Sequence, residues 1–202
     1  MESRRRMQLY RTMHSWHWIS AAICLAALLL FCITGITLNH ANAIRVTPRV
    51  TKLEAQLPDS LQPLLAGEHA DAALPDELAD WIEERFDIDL DDASVEWSPE
   101  ELYVSAPGPG RDAWVMLDRA SHVATAESTD RGWLAYFNDL HKGRNTGLGW
   151  IVFIDVVAAA CVFFSLTGLA LLWLQARQRT ATWPLVSLGV GSLVALMILF
   201  AH

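Results

Sequence analysis

Three long apolar runs divide the chain: Trp18–Leu38, Trp150–Leu174 and Trp183–Ala201. A helix rises about 1.5 Å per residue, so about 20 apolar residues match the hydrocarbon layer of a bilayer. The first two runs meet that length and the third sits near its lower limit. Between the first two lies a polar stretch, Asn39–Leu148, of ordinary globular composition. The pattern predicts a membrane α-helical protein: three transmembrane helices, with a small α+β extracytoplasmic domain inserted between helices 1 and 2.

Finer periodicities appear within the polar stretch. Residues 41–75 are mixed and spaced by Pro48, Pro58, Pro63 and Pro75, and read as a linker with one or two short helical pieces. Pro75-Asp76 then opens DELADWIEERF, with Leu78, Trp81, Ile82 and Phe86 on one face and acids on the other. Alternation predicts strands at 94–97, 101–106, 112–118 and 122–126, with a turn at Pro107-Gly108-Pro109-Gly110. A helix packed on a small antiparallel sheet is the simplest arrangement. Asp130–His141 is amphipathic and carries Trp133 and Tyr136, residues suited to a bilayer interface. The resulting map is a basic tail at 1–17, transmembrane helices at 18–38, 149–174 and 183–201, and the α+β domain at 39–129. An interfacial helix with a Gly-rich joint occupies 130–148, and a short loop 175–182.

Charge orients this map. Arg4, Arg5, Arg6 and Arg11 precede the first run, and Arg177 and Arg179 lie between the second and third. The positive-inside rule makes both segments cytoplasmic, so the polar domain lies outside, in the periplasm of a Gram-negative cell. The expected location is the bacterial inner membrane. The polar stretch carries 21 acidic and 9 basic residues, a net of −12. Such a surface repels nucleic acid and anionic lipid and disfavours either as a partner of this domain, while the apolar runs make the bilayer the first partner of the chain. A cleaved signal peptide is the alternative to a first anchor helix, with Ala41-Asn42-Ala43 as its cleavage site. Against it, the apolar core exceeds the roughly 7–15 residues of signal peptides. Cys24, Cys32 and Cys161 all fall in apolar runs, which argues against a disulfide or zinc framework.

The histidines supply the candidate chemistry. His14 and His17 precede the first run on one helix face, and His40 follows it. His141 ends the interfacial helix. His40 and His141 are expected at the same outer surface, where two imidazoles from facing helices would ligate a b-type haem iron. Gly35, Gly147 or Gly168 would let a porphyrin approach the backbone. His14 and His17 would serve a second, inner haem. Residues three apart share a face and cannot sandwich one ring, so that site needs a homodimer or a second membrane subunit. Arg144 and Lys142 would hold haem propionates or an anionic ferric chelate, or contact headgroups. Asp155 would pair with one of them or orient a ligating imidazole. His202 would compete with His40 as a ligand unless, as expected of a terminal residue, it is frayed, and His69 and His122 are expected to be solvated. A short repeat links the runs: Phe31-Cys32-Ile33-Thr34-Gly35-Ile36 and Phe164-Ser165-Leu166-Thr167-Gly168-Leu169. Because the runs are antiparallel, the repeat has inverted-repeat character. No GxGxxG occurs, so a dinucleotide site on this chain is unsupported.

Several of these pieces resemble the PepSY-associated transmembrane family. Asp139-Leu140-His141-Lys142-Gly143, then Gly147-x-Gly149 and Leu166-Thr167-Gly168 ending at Trp173, are similar to its "LH-x-G … TG … LW" helix. Ala113–Glu127 is similar to the paired strands of a PepSY module, with Asp118-Arg119-Ala120-Ser121 where a Gly usually follows the Asp. Tyr10-Arg11 followed by His14-Ser15-Trp16-His17 is similar to the family's opening. The resemblance implies a haem b protein, with one or two haems, that reduces a periplasmic acceptor such as a ferric siderophore. Larger members have four or more spans, so the alternatives are a cofactor-free binding or assembly subunit, or one subunit of a larger reductase.

Overall fold

The computed structural model describes residues 2–41, 43–44, 46–66 and 73–200. Asn42 of the candidate cleavage site, His69 and His202 lie outside them. The element order is α1 (Glu2–Asn39), β1 (Arg49–Gln56), a 3-10 helix (Gln62–Leu65), α2 (Asp76–Phe86), β2 (Ser94–Trp97), β3 (Glu101–Ser105), β4 (Arg111–Asp118), β5 (Val123–Asp130), α3 (Gly132–Lys142), α4 (Leu148–Gln175) and α5 (Thr182–Phe200). Helices α1, α4 and α5 are long and apolar enough to cross a membrane. Helix α1 runs without a break from Glu2, through the basic segment and the first apolar run, to Asn39. The backbone divides into two compact units, Met1–Leu30 with Asp155–His202, and Phe31–Ile154.

In the second unit, five antiparallel strands form one sheet in the order β1-β5-β4-β3-β2. Alternation sends Leu102 and Val104 of β3, Val115 and Leu117 of β4, and Ala124 and Ala126 of β5 to one face, where they are buried. The register pairs Leu102 with Leu117, Val104 with Val115, and Val115 with Ala126, which builds a continuous apolar surface. Leu78, Ile82 and Phe86, at helical spacing on α2, complete the core together with Leu65 of the 3-10 helix. Asp76 and Glu77 in the first turn and Arg85 in the last suit the α2 dipole.

Two sequence expectations change. The stretch 41–75 contains the short helical piece but also an eight-residue strand, β1, which pairs with β5 along its whole length. Seven of its eight residues are exposed, so this edge strand needs no apolar face and left no alternation to detect. Strand β5 runs four residues beyond its expected end, to Asp130, because β1 and β4 both pair with that extension.

The β4–β5 turn works without a glycine after Asp118. Asp118 Oδ1 accepts from Ala120 N at 3.0 Å, Ser121 N at 2.7 Å and Ser121 Oγ at 2.8 Å. His122 takes the left-handed conformation at φ 57°. These bonds, led by Ser121, hold the Asp118 carboxyl below the ordinary carboxylate range, with a smaller contribution from nearby His122. A depressed carboxyl stabilises the fold above its unfolded pKa, and that contribution is lost as pH falls through the folded value. Melting of the protein should therefore become pH-dependent below about pH 4. Asp118→Asn should flatten that part of the profile, read as melting temperature against pH.

Candidate functional site

The Phe-x-x-Thr-Gly repeat builds two histidine notches. On α4, Phe164, Thr167 and Gly168 form one face, and His17 of α1 packs into it. His17 Nδ1 lies 3.1 Å from Thr167 Oγ1 and 3.2 Å from Phe164 O. Its ring stacks on Phe164 with centroids 4.5 Å apart. A methyl group on Gly168 would come within 3.1 Å of His17 Cε1, so the bare backbone is what admits the ring. In the other unit the same motif on α1 receives His141 of α3. His141 Nδ1 lies 2.6 Å from Thr34 Oγ1, and its ring meets the edge of Phe31 at 5.1 Å. Here a methyl on Gly35 would sit at an ordinary 3.6 Å from His141 Cε1.

Hydrogen-bond accounting fixes the tautomer of His17. Thr167 Oγ1 donates to the carbonyls of Phe164 at 2.8 Å and Phe163 at 3.1 Å, so it can only accept from His17. Phe164 O can only accept, so His17 carries its proton on Nδ1 and leaves a lone pair on Nε2. Thr34 Oγ1 lies 3.3 Å from Phe31 O and 2.6 Å from His141 Nδ1, so its single proton can go to either. Arg131 Nε is the one buried side-chain N or O without a hydrogen bond among the described residues. The partnerless Nε2 atoms of His17 and His141 are therefore open to their surroundings.

The element carrying His141 is clamped from several sides. Asp139, two residues earlier and buried, accepts from Gly110 N at 2.9 Å and from Arg131 Nη2 at 2.9 Å. Gly143, in the left-handed conformation, ends α3, and Arg144 N returns to Asp139 O at 3.0 Å. Trp150 Nε1 donates to Leu140 O at 2.9 Å, which ties the start of α4 to the end of α3. The Thr37 hydroxyl of α1 lies 2.9 Å from the Asn138 amide oxygen. The Pro-Gly turn between β3 and β4 rests directly on α3. A methyl on Gly110, which has φ 68°, would fall 2.6 Å from Tyr136 N and 2.7 Å from its Cα.

A match to the PepSY_TM-like family spans residues 8–202, nearly the whole chain including both notches. The chain belongs to the PepSY_TM-like family. Comparison with curated proteins and with solved structures returned no match.

The remaining candidates in this PepSY_TM-like chain are placed as follows. His40 follows the last residue of α1, is exposed, and folds its Nδ1 onto Ile36 O at 3.0 Å. It lies about 140° round the helix from Gly35, and the structure does not bring it to His141. His14 is exposed beside Tyr10, with ring centroids 6.0 Å apart. Arg144 faces Asp139, its Nε 4.0 Å from Oδ1, rather than Asp155. Asp155 is exposed on α4, with no hydrogen bond or ion pair among the described residues. Gly147 has open space around it. Thr34, Thr167, Phe31, Phe164 and Asp139 were not singled out as site residues by sequence. The repeat was the available signal, but it gives no indication that each Thr-Gly pair receives a histidine from a different helix.

Thr34→Val and Thr167→Val keep the shape and remove the hydroxyl. Each should cost about 1 kcal/mol. Each should also release one imidazole from its Nδ1 hydrogen bond, read in the side-chain 15N spectrum of histidine-labelled protein. Gly110→Ala should destabilise the sheet-bearing unit by about 2 kcal/mol or more, measured by melting, because neither the φ nor the Tyr136 backbone can yield.

Proposed function

We propose that this protein is an inner-membrane electron carrier that binds b-type haem and reduces an acceptor on the periplasmic side. The observation that carries the reading is the shared setting of His17 and His141: Nδ1 is hydrogen-bonded to a threonine hydroxyl and Nε2 is open. Ligating imidazoles present one ring nitrogen to the metal and donate the other N–H to a protein oxygen. His40, with Nδ1 on the Ile36 carbonyl, has the same form. The donor chemistry therefore fits haem iron, which His17 and His141 would hold, with the histidines of a second copy or of a second subunit completing the ligand set. Bound haem would provide a one-electron iron couple.

The chain's own residues then have definite tasks. Thr34 and Thr167 hold the rings against rotation and leave Nε2 facing outward. Phe31 and Phe164 pack the imidazoles from the side. Arg144, half exposed beyond His141, offers a guanidinium to a carboxylate such as a propionate. In this reading the basic ends of α1 and α4 face the cytoplasm and the sheet faces the periplasm. The acceptor class is the one the family resemblance implies, a ferric siderophore.

A second reading has its own observation. His17 and His141 are already joined to protein partners, so the two Thr–His bonds would serve equally as pins between helices in a cofactor-free assembly subunit.

The test is a reduced-minus-oxidised visible spectrum of protein purified from haem-replete cells, with haem quantified per chain. A sharp α band of low-spin bis-imidazole haem is expected. His17→Ala and His141→Ala should each lower the haem content while His122→Ala leaves it unchanged. A colourless, folded wild-type protein sinks the haem reading and leaves the assembly subunit.

A further inference from the structure

The basic end of the helical unit contains a cavity of about 820 Å³ that the haem reading does not use. Arg5, Arg6 and Leu9 of α1 line one side, Trp173 and Arg177 at the end of α4 line another, and Trp183 of α5 closes it. Its walls are fixed. Arg6 Nη2 donates to Leu174 O at 2.7 Å, satisfying a carbonyl at the C-terminus of α4. One turn further along α1, the Tyr10 hydroxyl accepts from Gln175 Nε2 at 3.1 Å.

The cavity is strongly cationic. Arg5 and Arg177 have no hydrogen bond or ion pair among the described residues. The sequence holds no Asp or Glu between Glu2 and Glu54, nor after Asp155. Asp155 is 19 residues before Leu174 on α4, about 28 Å of helix away. The cavity is also amphipathic. Trp173 and Trp183 border apolar helix ends, the position where indoles meet the headgroup layer of a bilayer, and both are largely exposed.

We propose that this cavity binds one anionic phospholipid. The headgroup phosphate sits on Arg5, Arg6 and Arg177. The glycerol and upper acyl chain lie against Leu9 and the two indoles. Guanidinium groups pair with phosphate oxygens in bidentate fashion, and a basic pocket between helices is suited to a lipid headgroup. A soluble phosphate compound would leave the Leu9 and Trp walls facing water, which is why a lipid is the better occupant. The lipid would join α1, α4 and α5 at this end. Thr182 is the single buried residue among the described residues of α5, so that helix has little protein contact of its own.

The test uses the full chain in detergent, with native mass spectrometry after addition of phosphatidylglycerol or phosphatidylcholine of identical acyl chains. One phosphatidylglycerol per chain should be retained in preference to phosphatidylcholine. The double variant Arg5→Gln/Arg177→Gln should bind it about 30-fold more weakly. Arg5→Lys/Arg177→Lys should recover most of the loss, and Arg11→Gln should behave as wild type. Neither Arg5 nor Arg177 holds a helix end, so the double glutamine variant should melt like wild type in lipid-free detergent. If that variant fails to fold, competition on the wild type decides. Glycerol phosphate at the same concentration should not displace the lipid. Equal retention of the two lipids, unchanged binding in the glutamine variant, or displacement by glycerol phosphate would each overturn the proposal.

Discussion

The hydrogen bond between a threonine hydroxyl and a histidine Nδ1 is the interaction on which the rest depends. An imidazole among apolar helices must satisfy its N–H, and an unsatisfied one costs about 1–3 kcal/mol. Thr34 and Thr167 each put a hydroxyl on the ring nitrogen, and the Thr167 proton goes to a carbonyl of the preceding turn. The arrangement needs three things from one stretch of helix. An aromatic residue packs the ring, a threonine bonds its Nδ1, and a glycine leaves room for the ring edge. Phe31-x-x-Thr34-Gly35 and Phe164-x-x-Thr167-Gly168 supply all three at the same spacing. The geometry is tighter at Gly168 than at Gly35, so the two notches share a design without being interchangeable.

Much of this architecture was legible in the chain. Three apolar runs, the α2 face and the turn after Ser105 are local patterns, and local patterns survive into the fold because each is set by residues close in sequence. Strand β1 was not legible, because an exposed edge strand is defined by its hydrogen-bonding neighbour and not by its own side chains. The turn at Asp118 lacks the expected glycine, and only the three bonds to its carboxylate reveal how Ser121 and His122 are accommodated.

The histidines divide in the same way. Their presence at the ends of apolar runs is a sequence fact, and so is the repeat. Their pairing is not: His141 with Thr34 is a contact across 107 residues, and His17 with Thr167 one across 150. No periodicity encodes a separation of that length. His40 shows the opposite limit. Its position seemed equivalent to that of His141, but the helical twist turns it away from the Gly35 face, and its ring satisfies itself on Ile36.

Asp139 carries a consequence for the His141 notch. Its carboxylate accepts the amide of Gly110, a group available in that place only after β3 and β4 have closed their turn. The clamp on His141 therefore depends on a finished sheet as well as on the helix that carries it. An unfolded sheet would leave the Asp139 carboxylate without its amide donor beside an apolar segment. The histidine notch and the polar module are thereby coupled through one carboxylate: a change that opens the β3–β4 turn is felt at His141.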